Sequence, residues 1–159
     1  MGTKAGLTHL DPNGSAQMVN VSEKVTTHRT ALAGCEVLTK PETLVLLKSG
    51  NLKKGDAFTV AKVAGILAAK KTSEFIPLCH PLSLESIDIH FRNDLTRGVI
   101  FVECSVQTTA KTGVEMEAMH GAMVAALTLY DMAKAHDPGI VISNLHLIRK
   151  TGGKSDYSA

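Results

Sequence analysis

Five short stretches of this chain carry side chains able to move protons or hold charge. TGVEMEAM sets Glu115 and Glu117 on either side of Met116. YDMAK places Asp131 and Lys134 three residues apart inside the otherwise apolar AALTLYDMAKA, a spacing at which two side chains on a helix touch. Such a pair is either an exposed ion pair or a buried proton-transfer pair with shifted pKa values. FIPLCHPL holds Cys79 and His80 between Pro77 and Pro81, in apolar surroundings. It reads as a stiff turn whose φ angles the prolines set, as a thiol beside a base, or as part of a metal site. The metal reading is weak, because the chain has no CxxC and no HExxH. KKGD brings Lys53 and Lys54 up to Asp56, an N-cap residue. A helix start favours anions, although a basic solvent-facing loop explains the same residues. GGKS at 152–155 imitates the end of a phosphate-binding loop, but Ile148 stands where that pattern requires glycine. Lys150 and Lys154 could still meet a phosphate by charge, as part of an otherwise solvated tail.

Spacing constrains how these groups combine. Glu115 and Glu117 lie about 200° apart around a helix, so only one of them faces a core. Carboxylates in a first turn are also stabilised by the helix dipole without any further role. Glu117 and Asp131 lie within about 40° of one helix face, yet roughly 21 Å apart along the axis. One chain's helix cannot wrap both around one small reacting centre. Either the ligand is long or two subunits share the site.

The elements that must position these residues follow from periodicity and punctuation. Residues 1–20 read as a loose arm, with a turn at DPNG, residues 11–14. Residues 21–39 alternate β-branched and polar residues like a strand. PETLVLLKSG reads as a short helix, with Pro41 in the first turn and Gly50 at the stop. Ala57 to Lys71 has helical spacing behind Asp56. SIDIHFR alternates Ile87, Ile89 and Phe91 against Asp88, His90 and Arg92, and VIFVECSV follows after a turn, so the two form an antiparallel hairpin. A helix of six or seven turns runs from Thr112 to about His136, ended by Asp137-Pro138-Gly139. IVISNLHLIRK is a last strand, and residues 151–159 a Gly-rich polar tail. The expected fold is α+β and ferredoxin-like, an antiparallel sheet with helices packed on one face, in one domain over residues 21–150.

Composition agrees with one domain of 159 residues, 44% of them hydrophobic but only 4% aromatic. The core must therefore come from Val, Leu, Ile, Ala and Met. A net charge of +2 is too mild for a nucleic-acid module. Three scattered cysteines argue against a disulfide framework. The first twenty residues have no apolar signal core, and no run is long enough to span a membrane. The expected setting is the cytoplasm.

PLCHPL, KTGVEMEA, ALTLYDMAKA and KTGGKS, in this order and spacing, resemble the MoaC family, the cyclic pyranopterin monophosphate synthases of molybdenum cofactor biosynthesis. The resemblance runs from about Thr8 to Ser155, and KGD at 54–56 and AAK at 68–70 fit it too. It implies an enzyme that rearranges cyclised dihydro-GTP into a pterin fused to a pyran ring with a cyclic phosphate, and releases pyrophosphate. It implies Asp131, Lys54 and Lys134 as catalytic residues. Leu78, Cys79, His80, Met116 and Glu117 match substrate-contacting positions, and Glu115, Lys150 and Arg29 match further active-site groups. It implies no cofactor and no metal, and a homohexamer built as a trimer of dimers with sites at subunit interfaces. Lysine beside aspartate suits the proton transfers, with burial expected to lower the lysine pKa. Lysines, an arginine and a helix start suit the charge of a leaving pyrophosphate.

Two rival readings are a nucleotide sensor without turnover and an RNA-binding module. The sensor has no need of a lysine–aspartate pair in an apolar helix. The RNA module needs exposed aromatics on its strands, and the strands offer only phenylalanines.

Overall fold

The computed structural model describes residues 13–50 and 52–159. Most of the expected arm, with Asp11 and Pro12 of its turn, lies outside the described residues. The elements in chain order are β1 (Thr27–Leu38), α1 (Pro41–Ser49), α2 (Ala57–Lys70), α3 (Thr72–Phe75), β2 (Ser86–Asp94), β3 (Val99–Ala110), α4 (Glu115–Ala133), β4 (Val141–Thr151) and β5 (Tyr157–Ser158). The sheet runs β2-β3-β1-β4-β5 and is antiparallel throughout. This is the expected α+β, ferredoxin-like arrangement.

Alternate residues of the two central strands form the floor of the core. Ala31, Ala33, Cys35 and Val37 of β1 and Ile100, Val102, Cys104 and Val106 of β3 are all buried. Small residues on the helices let α2 and α4 come close above them. A Cβ at Gly65 of α2 would sit 2.8 Å from the carbonyl oxygen of Gly121, and one at Gly121 of α4 would sit 2.7 Å from Cys104 Sγ. Real Cβ atoms do not tolerate such distances, so the two glycines set how deep α4 lies. Ala118, Ala122, Ala125 and Ala126 continue that close face.

Several ends differ from the sequence expectation. β1 begins at Thr27 rather than residue 21, because residues 22–24 turn, with the Lys24 N–H donating to Val21 O at 3.1 Å. α4 spans 19 residues rather than six or seven turns' worth. Its N-cap Val114 has φ −118° and ψ 24°, so Thr112 and Gly113 stay outside the helix. At its far end the chain leaves the helix before Asp137. The buried Asp137 carboxylate accepts from Lys40 N–H at 2.9 Å, Thr43 Oγ1 at 3.3 Å and Gly139 N–H at 3.2 Å. It thus caps α1, whose own N-cap residue Lys40 offers no side-chain bond. α3 is a short helix that the sequence reading did not contain.

β4 is irregular. Its register against β1 shifts between Leu32 and Ala33 and again between Gly34 and Glu36, and Asn144 sits at φ 53°. After β4 the chain turns at Gly152, φ 78°, and returns as β5, with Tyr157 opposite Lys150 and Ser158 opposite Arg149. Among the described residues, no helix is long and apolar enough to cross a membrane.

Candidate functional site

The start of α4, the 75–82 loop and the end of β4 converge on one cavity of about 480 Å³, a size suited to a small ligand. Leu78, Cys79 and His80 line it from the loop, Glu115, Met116 and Glu117 from α4, and Lys150 from β4. Seven of the eight expected binding residues therefore meet. The eighth, Arg29, lines an adjoining cavity of about 360 Å³. The two cavities share Lys24, Thr112 and Gly113.

Each wall has a local cause. His80 Nε2 lies 2.9 Å from Val19 O. The carbonyl can only accept, so Nε2 carries the proton. This bond draws Val19 and Val21 in as a wall of the cavity. Lys111 Nζ holds the same segment through Ser22 O at 2.5 Å. On the opposite side, Glu115 Oε1 accepts from Lys150 Nζ at 2.9 Å, which ties the first turn of α4 to β4.

Of the two glutamates, Glu117 is the one turned inward, at 4% exposed. Burial pushes its carboxyl up to about 7, the charge of Glu115 adds to that, and a bond from its own N–H opposes it. Burial also raises the Cys79 thiol, with Glu117 adding to the effect. Cys79 therefore favours the thiol over the nucleophilic thiolate. In this structure Cys79 lines the cavity and His80 tethers the segment of Val19.

The other three expected residues form a second group at the far end of α4. Asp131 Oδ2 accepts from Lys54 Nζ at 2.8 Å and Oδ1 from Lys134 Nζ at 2.8 Å. Lys54 also donates to the Asp131 carbonyl oxygen at 2.7 Å. Lys54 reaches this point from the loop before α2, where Asp56 caps the helix by accepting from the Phe58 and Thr59 N–H groups at 3.0 and 3.3 Å. That cap occupies the helix start to which the sequence reading assigned a possible anion. The bonds from Lys134 and Lys54 hold the Asp131 carboxyl down at about 2. The bond and charge of Asp131 raise Lys134. The expectation that burial lowers the lysine pKa is not met in the single chain, because both side chains are about half exposed and ion-paired.

No residue of this second group lines the first cavity. One chain thus carries two separate groups of candidate residues at the two ends of one helix. Sequence reasoning missed Lys24, Val19 and Val21 as lining residues. Thr112 was quoted within KTGVEMEA but given no part. Among the described residues, no cluster of His, Cys, Asp and Glu could hold a metal ion.

The protein is thus an α+β domain of ferredoxin-like arrangement with a mixed-charge cavity of small-ligand size at the start of its long helix. More narrowly, the chain belongs to the MoaC family, whose family model matches residues 18–153. It is 54% identical over 151 residues to the cyclic pyranopterin monophosphate synthase of Pelotomaculum thermopropionicum, covering 95% of this chain and 89% of that one. The proteins of the same name from Heliobacterium modesticaldum and Thermomicrobium roseum are each 51% identical over 151 residues, again 95% of this chain and 95% and 91% of theirs.

Proposed function

We propose that this chain is a lyase of molybdenum cofactor biosynthesis, a cyclic pyranopterin monophosphate synthase acting on cyclised dihydro-GTP and releasing pyrophosphate. The observation that carries the reading is the Asp131 carboxylate gripped by two lysine ammonium groups at 2.8 Å each. The name shared by relatives more than half identical supports it.

Opening a purine-derived ring and reclosing it as a pterin needs several proton transfers. Lys54 and Lys134 are the acid and base, and Asp131 orients and tunes them. Glu117, poised near neutrality, is a further proton carrier within the first cavity. Closing the cyclic phosphate forms a new P–O bond from a sugar hydroxyl and breaks the bond to pyrophosphate. The hydroxyl proton passes to a base, and nearby cations neutralise the leaving charge.

The active site is completed by a second copy. A two-fold axis near the middle of α4 would lay two such helices antiparallel and bring the Glu117 end of one to the Asp131 end of the other. Met123 and Leu127 are exposed at that midpoint, and Val60, Val63 and Leu67 are exposed on the neighbouring α2. Apolar side chains left in solvent on both helices suit burial against another subunit. Desolvation in that interface works against the charged form of Lys134 and would return its pKa toward a working value. Three such dimers make the proposed homohexamer, in the cytoplasm, with no nucleic-acid or membrane partner.

The test is direct incubation of the chain with cyclised dihydro-GTP, reading pterin fluorescence after oxidation together with pyrophosphate release. The wild type should yield both, and Asp131→Asn should lose both together by at least about 100-fold. A wild type that binds the nucleotide and returns it unchanged is a sensor, and the synthase reading fails.

A further inference from the structure

His120 is a buried polar side chain that neither group of candidate residues includes. It sits on α4 one turn beyond Glu117, at 9% exposed. Its Nδ1 lies 3.2 Å from the Oγ1 of Thr72, the first residue of α3. Thr72 is itself buried, and the same Oγ1 lies 3.0 Å from Ala69 O and 3.3 Å from Ala68 O in the last turn of α2. Carbonyl oxygens can only accept, so the hydroxyl proton is committed to them. Oγ1 therefore accepts from His120 Nδ1–H. A run of hydrogen bonds thus joins α4 to the end of α2 through Thr72.

The same run continues into the cavity wall. Thr72 O accepts from Ile76 N–H at 2.9 Å, and Ile76 O accepts from Cys79 N–H at 3.0 Å. Two backbone bonds therefore connect the residue that His120 holds to the wall at 78–80. Phe75 packs on the imidazole, the two rings meeting edge to face with centroids 5.5 Å apart. The helices permit this reach because Gly121, beside His120, has no side chain. A Cβ there would lie 3.5 Å from the Cβ of Ala69, the residue whose carbonyl Thr72 meets. Glu117 stands on the helix that carries His120. The clasp thus relates the two walls of the cavity, 78–80 on one side and 115–117 on the other.

We propose that His120 is a positioning residue, whose bond to Thr72 fixes the 78–80 wall against the start of α4 and so sets the width of the ligand cavity. His120 does not line the cavity, so it acts only through α3 and the loop that follows. A buried donor and acceptor that lose each other are each left unsatisfied, and that penalty holds the clasp shut. The proposal rests on the reading above that this cavity takes the ligand, but its first test needs no turnover.

Cys79 reports on the wall directly, because the other two cysteines, Cys35 and Cys104, are buried. Alkylation of the full chain with iodoacetamide, followed by peptide mass spectrometry, gives each thiol its own rate. His120→Leu and Thr72→Val should each raise the Cys79 rate about tenfold, the population shift that one lost hydrogen bond allows, while Cys35 and Cys104 stay protected. His120→Asn keeps an N–H donor near the place of Nδ1 and should return the rate to within about twofold of wild type. In turnover of cyclised dihydro-GTP, His120→Leu should raise KM about tenfold at nearly unchanged kcat, the pattern of lost ligand positioning. Cys79 rates unchanged in both disrupting variants overturn the proposal. So does an increase shared by Cys35 and Cys104, which marks loosening of the whole fold, or a loss of turnover confined to kcat, or a His120→Asn chain labelled as fast as His120→Leu. Faster Cys79 labelling in a chain that never turns over supports the clasp while the synthase reading falls. Turnover with Cys79 labelling indifferent to both variants does the reverse.

Discussion

Glu117 is a carboxyl group held at the edge of ionisation by its burial, and this has a consequence for stability. Its folded pKa, about 7, lies above the ordinary 4.5. A raised folded pKa contributes stability that is fully present below the unfolded value and is lost as pH rises through the folded one. Between about pH 5 and about pH 8 the wild type should therefore lose stability relative to Glu117→Gln, by on the order of 3 kcal/mol. Urea unfolding midpoints of the two proteins across that range check it, and parallel profiles would refute it. The sequence already required that only one of Glu115 and Glu117 face inward, since two residues turn a helix by about 200°. It could not say which, because that depends on where Lys150 arrives from a strand far along the chain. The Cys79-His80 pair was open in the same way. Its tether, Val19, is 61 positions away and carries no local signal.

Among elements, the α2–α4 contact decides where both groups of candidate residues lie, since α4 carries Glu117 and Asp131 and α2 follows the loop of Lys54. Gly65→Ala would place a methyl 2.8 Å from Gly121 O and 3.1 Å from Ala125 Cβ, atoms that belong to α4 itself. The helices must part to admit it, at a cost of about 1–3 kcal/mol. Chemical denaturation should show that loss although alanine has the better helix propensity; an unchanged or higher midpoint would mean that α4 shifts freely. The helices and the β2–β3 hairpin were legible because their patterns are long. Ile87, Ile89 and Phe91 do pack on or into the core, and Gly50 does end α1 with φ 69°. What the pattern hid was settled by tertiary bonds. Residues 21–26 alternate like a strand, but Val21 O accepts from Lys24 N–H and the segment turns away from the sheet. TGGKSDYSA has no strand periodicity, yet two of its residues pair with β4 because Gly152 permits the reversal.

At the scale of the whole molecule, the proposed sharing of one active site between two chains calls for a test in which neither chain is complete. Glu117→Gln and Asp131→Asn should each be inactive alone. Mixed under conditions that allow subunit exchange, they should recover about a quarter of wild-type turnover, since half the dimers are mixed and each mixed dimer has one intact site. No recovery after demonstrated exchange would place each site within a single chain. The roughly 21 Å separation along α4 was available from residue numbers alone, whereas the meeting of the two cavities was not, because Lys24 lies before β1 while Thr112 and Gly113 lie between β3 and α4. A last consequence concerns the sheet's outer border. An unpaired strand is a template on which further chains can stack, and β5 pairs with β4 at Arg149 and Lys150, with Ala159 N–H adding a bond to Ile148 O at 2.9 Å. Asn144, bent out of strand geometry at φ 53°, interrupts the rest of that border. A newly made chain is thereby shielded from fibre-like growth along β4, while the apolar side chains on its helices remain open to a partner.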